Sequence, residues 1–169
     1  MTPEPRILIV FYTSSGNTQK VAEAMATALS ADWEKLRMLK PLEANIHGKS
    51  VGNFINIMRA GMHARGGHKA DIQPLTHHPA DYDLVIIGTP VYGGCLPAPV
   101  RAFCEQYGAQ LKTTAFFCTG ESLTNELVFE LLQQASGKTP KATYAFHAPQ
   151  ILTGKFLPQV AEFVGQVMK

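Results

Sequence analysis

Two hydrophobic patterns alternate along the chain. Ile7 to Tyr12 is a continuous apolar run in which five of six residues are β-branched or aromatic, the pattern of a strand buried on both faces. From Thr18 the period lengthens: Val21, Ala22, Met25, Ala26 and Leu29 recur at helical spacing, which predicts an amphipathic helix. Between the two lies a hydroxyl-rich turn, Thr13 to Thr18.

The same succession repeats downstream. Trp33 to Met38 alternates apolar and polar positions, as a strand at a sheet edge does. Lys40 to Ala80 is irregular and carries Gly48, Gly52, Gly61, Gly66 and Gly67; within it Val51, Phe54, Ile55, Met58 and Met62 suggest a helix from about Ser50 to Ala64, the rest being surface loop. Tyr82 to Thr89 is a second continuous apolar strand. It ends in the turn Pro90-Val91-Tyr92-Gly93-Gly94-Cys95, after which Pro97 and Pro99 introduce a helix with Val100, Phe103, Cys104 and Tyr107 on one face. Thr113 to Thr119 is a third strand, Gly120-Glu121-Ser122 its turn, and Leu127, Val128, Leu131, Leu132 and Ala135 the expected buried stripe of the next helix. Thr143 to His147 forms a last strand. A final helix starts near Pro158 and is expected to bury Leu157, Val160, Ala161, Val164 and Met168.

Strands alternating with helices predict a doubly wound α/β protein, a mostly parallel sheet covered on both faces. At 169 residues one domain spanning 1–169 accounts for the chain. In such sheets ligands bind beyond the carboxyl ends of the strands, where the three unusual turns converge.

Composition narrows the field without adding to it. A hydrophobic share of 46%, a charged share of 17% and a net charge of +2 describe an ordinary globular protein. The 15 Lys and Arg residues are scattered rather than clustered, which argues against a nucleic-acid partner. MTPEPR has no signal-peptide pattern and no apolar run reaches the ~18 residues of a membrane span, so a cytoplasmic protein is expected. Three cysteines, Cys95, Cys104 and Cys118, lack metal-ligand spacing and fit reduced thiols, the latter two as core residues.

The first turn joins the carboxyl end of a strand to the N-terminus of a helix, where unpaired backbone N–H groups and the helix dipole favour an anion. Thr13, Ser14, Ser15 and Thr18 add hydroxyls, and Gly16 permits close backbone approach. No Lys follows the glycine as in a Walker loop, and one glycine is not the three of a dinucleotide fingerprint. A capped helix after a glycine turn fits these six residues as well as a phosphate site does.

The three turns together resemble the flavodoxin family over nearly the whole chain. Ile9 to Ala22 (IVFYTSSGNTQKVA) is similar to the family's FMN-phosphate signature, GTPVYGG (Gly88 to Gly94) to its second flavin loop, and CTGES (Cys118 to Ser122) to its third. The resemblance implies a five-stranded sheet of order 2-1-3-4-5 that binds FMN non-covalently. Thr13, Ser14, Ser15, Gly16, Asn17 and Thr18 would hold the phosphate. Thr89, Pro90, Val91, Tyr92, Gly93 and Gly94, with Thr119, Gly120, Glu121 and Ser122, would frame the ring, Tyr92 stacking on it. The chain departs from electron carriers of the family in three respects: Gly94 stands where they place an acidic residue, Leu123 and Thr124 follow where many place a second aromatic, and the whole chain is near neutral.

The resemblance implies electron transfer, either with a redox partner protein or as an NAD(P)H-dependent FMN reductase serving a small acceptor such as a quinone. It leaves the oligomeric state open. A flavodoxin-like scaffold that has lost FMN is a third reading. A signalling receiver domain shares the strand order but needs carboxylates where Thr13, Ser14 and Ser15 stand. Cys95, beside the second loop, reads as a bystander, and His63, His68, His77 and His78 as a solvated stretch rather than a metal site.

Overall fold

A computed structural model describes residues 4–39, 71–91, 94–121 and 126–169. The helix expected from about Ser50 to Ala64 lies outside the described residues. Five strands, β1 (Ile7–Phe11), β2 (Asp32–Lys35), β3 (Leu84–Pro90), β4 (Thr113–Gly120) and β5 (Thr143–His147), form one sheet of order β2-β1-β3-β4-β5. Every pair is parallel. The α-helices among the described residues are α1 (Asn17–Leu29), α2 (Ala98–Tyr107), α3 (Glu126–Ser136), α4 (Ala148–Leu152) and α5 (Leu157–Val167).

The continuous apolar runs are where the sheet is covered twice. All five residues of β1 and all seven of β3 are buried. Alternate β1 residues point to opposite faces: Ile7, Ile9 and Phe11 join Val21, Met25, Val160 and Phe163 in one core, and Leu8 and Val10 join Val100, Phe103, Val128 and Leu132 in the other. On the first face α1 packs against α5, on the second α2 against α3. β2 is the edge, as its alternation implies. It is shorter than the expected Trp33 to Met38: pairing stops at Lys35, and the chain turns away through buried Leu36 to a single antiparallel bridge between Met38 and Ile72.

Two apolar stripes are rotated from their expected positions. Leu127 is 56% exposed, so α3 buries Val128 and Leu132 with Ser136, while Leu131 and Ala135 are only partly covered. In α5, Leu157 (56% exposed) and Ala161 face solvent, as does Met168 (49%) just past its end, and the buried line is Val160, Phe163 and Val167. Tyr82 lies just ahead of β3, buried, its hydroxyl donating to Asp32 (2.7 Å) under the Arg6 guanidinium.

Candidate functional site

β1 delivers the chain to the carboxyl end of the sheet, and the next residues fold back at once. The Gly16 N–H donates to Thr13 Oγ1 at 3.0 Å, closing a tight turn. Gly16 has φ 90°, a left-handed conformation that disfavours side-chain-bearing residues although a Cβ there would meet nothing within 4 Å. Glycine stands there for its backbone, not for space. It is also the N-cap of α1 and has no side chain with which to cap, and the first helical turn holds no acidic residue. The positive end of the helix therefore opens onto Ser14 and Ser15, both exposed, and half-buried Asn17.

Thr13 and Thr18 are placed differently from their serine neighbours. Both are buried, at 8% and 1% exposure. The Thr13 hydroxyl shapes the turn, and Thr18 Oγ1 hydrogen-bonds Thr119 Oγ1 at 2.8 Å. That bond ties the start of α1 to the end of β4. Because a hydroxyl both donates and accepts, each still has capacity for one more partner.

The second turn leaves β3 through Thr89, fully buried with its hydroxyl on the Pro90 carbonyl (3.1 Å), and Pro90, the last residue to pair. The Val91 N–H donates to the Thr119 carbonyl at 2.9 Å, and the Tyr12 N–H to the Gly88 carbonyl at 3.2 Å. Tyr92 and Gly93 lie outside the described residues. Gly94 has φ 75°, and a Cβ there would stand 3.3 Å from Leu127 Cδ2. The exposed leucine of α3 thus flanks the second turn. Gly120, at the third turn, lies close against Val91: a Cβ there would stand 3.2 Å from Val91 Cβ, which would have to give by a few tenths of an ångström. Glu121 is exposed and its carbonyl accepts from His147 Nε2 at 2.8 Å; Ser122 lies outside the described residues.

The structure brings the Thr13–Thr18 turn, the described part of the Thr89–Gly94 turn, and Thr119 to Glu121 to one end of three adjacent strands. His147 joins them and is absent from the residues the sequence singles out, because one histidine at a strand end belongs to no pattern. Burial holds the Tyr12 phenol above its usual range and pushes the Cys104 and Cys118 thiols up to about 12, which keeps both unreactive. Cys95 is half-buried. His77 bonds Glu34 (2.7 Å), and no group of residues able to hold a metal ion occurs among the described residues. Nor is any helix among them long and apolar enough to cross a membrane.

An all-parallel 2-1-3-4-5 sheet with helices on both faces and a glycine turn after its first strand defines a flavodoxin-like α/β fold. The sequence profile of the family described as flavodoxin matches residues 6–145, and the chain belongs to that family. Solved structures share the fold. A flavoprotein from Lactobacillus acidophilus NCFM, in complex with FMN, is similar with a TM-score of 0.69 at 18% identity, over 88% of this chain and 97% of that one. The NMR structure of the apo-form of the Lactobacillus flavoprotein gives 0.61 at 18% identity, over 85% and 93%. A Bacteroides uniformis ATCC 8492 protein, provisionally described as a flavoprotein, gives 0.68 at 18% identity, over 93% and 99%. No match is found among curated proteins.

Proposed function

We propose that this chain binds FMN non-covalently at the carboxyl end of β1, β3 and β4 and acts in electron transfer. The observation that carries the reading is the open N-terminus of α1, set behind a left-handed Gly16 and bonded through Thr18 to the end of β4. A phosphate monoester suits it: the first-turn N–H groups, Ser14, Ser15 and Asn17 offer donors to a dianion, and nothing acidic in the first turn opposes one. Thr13 and Thr18 hold the turn in shape. Membership of the flavodoxin family and the FMN held by the Lactobacillus flavoprotein support the choice of FMN over other phosphates. By the same reading the turns from Thr89 to Gly94 and from Thr119 to Ser122 flank the ring, with Tyr92 stacked on it. Bound FMN supplies reversible acceptance of one or two electrons; the protein binds it, orients it and limits water around it.

Reduction by NAD(P)H followed by transfer to a small acceptor is the second reading. It is favoured by the uncharged flank that Gly94 and exposed Leu127 make at the second turn, where a carrier that docks a protein partner through charge would have a carboxylate.

The test is an anaerobic titration of the purified chain, first with FMN and then, once loaded, with NADH and NADPH in a stopped-flow instrument. Saturable quenching of FMN fluorescence at one equivalent is expected. Fast bleaching of the oxidised flavin band by either nucleotide assigns the reductase role, and no reaction assigns a protein donor. Failure to bind FMN overturns the proposal in favour of a scaffold role.

A further inference from the structure

β5 ends on His147, which pairs in register with Gly120, the last residue of β4. The next residue opens α4, with His147 as its N-cap (φ −82°, ψ 124°). The preceding residue, Phe146, is 1% exposed and packs edge-on to Phe117 and Phe163. The His147 backbone is thus held by the sheet on one side, by a helix start on the other and by the core beneath. From this fixed root the imidazole reaches sideways, Nε2 lying 2.8 Å from the carbonyl oxygen of Glu121. A carbonyl only accepts, so Nε2 carries the proton and donates.

We infer that His147 is a positioning residue for the third turn of the site: its N–H holds the Glu121 carbonyl and thereby the orientation of the backbone that meets the flavin ring. The inference rests on the FMN reading above and adds to it a residue on a fourth strand. Its chemistry is that of one rigid peptide. Fixing a carbonyl fixes the plane of the peptide it belongs to, and the edge of a flavin ring presents both donors and acceptors, so a peptide free to turn over would offer it the wrong group part of the time. Glu121 itself is exposed, and the described contact that fixes its carbonyl is the hydrogen bond from His147 Nε2.

The experiment measures dissociation constants of FMN and riboflavin for the wild type, H147A and H147Q, with S15A as a reference and thermal melting of each flavin-free protein. Riboflavin lacks the phosphate, so a residue acting at the ring end affects both ligands equally, whereas S15A weakens FMN alone. H147A is expected to weaken FMN and riboflavin by the same factor, about three- to tenfold for one lost hydrogen bond, with unchanged melting. H147Q, whose amide N–H can reach the same carbonyl, restores most of the loss. Should H147A fail to fold, H147N, too short to span the gap, takes its place with the same expectation. Unchanged affinity for both flavins overturns the inference, and so does a loss confined to FMN. A loss that H147Q fails to restore and that accompanies early melting also overturns it, assigning His147 to the strand end alone. A wild type that binds neither flavin overturns the FMN reading and this inference with it, whereas wild-type binding that H147A leaves intact overturns this inference alone.

Discussion

Replacing Gly88 with alanine should destabilise the protein by about 2 kcal/mol, although glycine is ordinarily a poor strand residue. Gly88 lies in central β3, in register with Phe11 on β1 and Phe117 on β4. A Cβ there would stand 2.9 Å from Cε2 of Phe117 and nearer still to its Cζ and Cε1. Since carbon atoms pack at roughly 3.5–4.0 Å, the ring would have to withdraw by on the order of 1 Å. It has nowhere to go: Phe117 is fully buried and meets Phe146 edge-on at 6.0 Å, and Phe146 meets Phe163. Overpacking of this kind costs roughly 1–3 kcal/mol, occasionally more, and the gain in backbone entropy on replacing glycine offsets only about 0.5–1 kcal/mol of it. Urea unfolding of the flavin-free protein, followed by far-ultraviolet circular dichroism, should be run on the wild type, G88A, F117L and G88A/F117L. With the ring replaced by leucine, G88A should cost under about 1 kcal/mol, a coupling of at least about 1 kcal/mol. The reasoning fails if G88A lies within about 0.5 kcal/mol of wild type, or costs the same in both backgrounds.

Three other outcomes follow from the site and the core. T18V leaves the Thr119 hydroxyl, 4% exposed, without the Thr18 oxygen; urea titration should show a loss of about 1–3 kcal/mol, partly recovered in T18V/T119V, and equal stability of T18V and wild type would sink the account. G94D places a carboxylate at a left-handed position that aspartate tolerates better than most residues, and with FMN bound it should lower both midpoint potentials, on the order of 1 kcal/mol for a solvated charge; potentiometry giving equal or higher values contradicts this. Burial raises the Cys104 and Cys118 thiols from 9.0 to about 12. Their folded values lie above the unfolded ones, so their contribution to stability is complete below pH 9 and is lost as pH rises toward 12. Urea midpoints should fall across that alkaline range, less steeply in C104A/C118A, and an equal slope in that variant refutes the assignment.

The parts of the fold most legible in the sequence are those that physics over-determines. β1 and β3 are buried on both faces, so nothing polar interrupts them, and α1 displays its buried residues at clean helical intervals. β5 falls on the expected residues, Thr143 to His147. Where a helix carries apolar residues on more than one face the spacing no longer chooses between them: in α5 Leu157 and Met168 compete with Phe163, and packing against α1 decides for phenylalanine. α4, five residues with a proline among them, is too short to display a period. At the site, the glycine turn is readable from its residue types, although Gly16 is set there by its left-handed φ rather than by the close approach the sequence suggests. The difference between Ser14 and Ser15, which face outward, and Thr13 and Thr18, which turn inward, is not, because a threonine's role depends on which hydroxyl the far end of β4 brings to it.

The packing of α5 on α1 sets an order of events in synthesis. Residues 13–18 leave the ribosome before residues 157–167, but the helix they introduce buries Met25 and Ala26 in a core completed by Val160, Phe163 and Val167. Thr18 waits in the same way for Thr119. A nascent chain that has not yet reached α5 thus carries the whole turn in sequence while the helix behind it lacks part of its support. A chain arrested before residue 157 would contain every residue of the turn while the helix behind it lacked Val160, Phe163 and Val167.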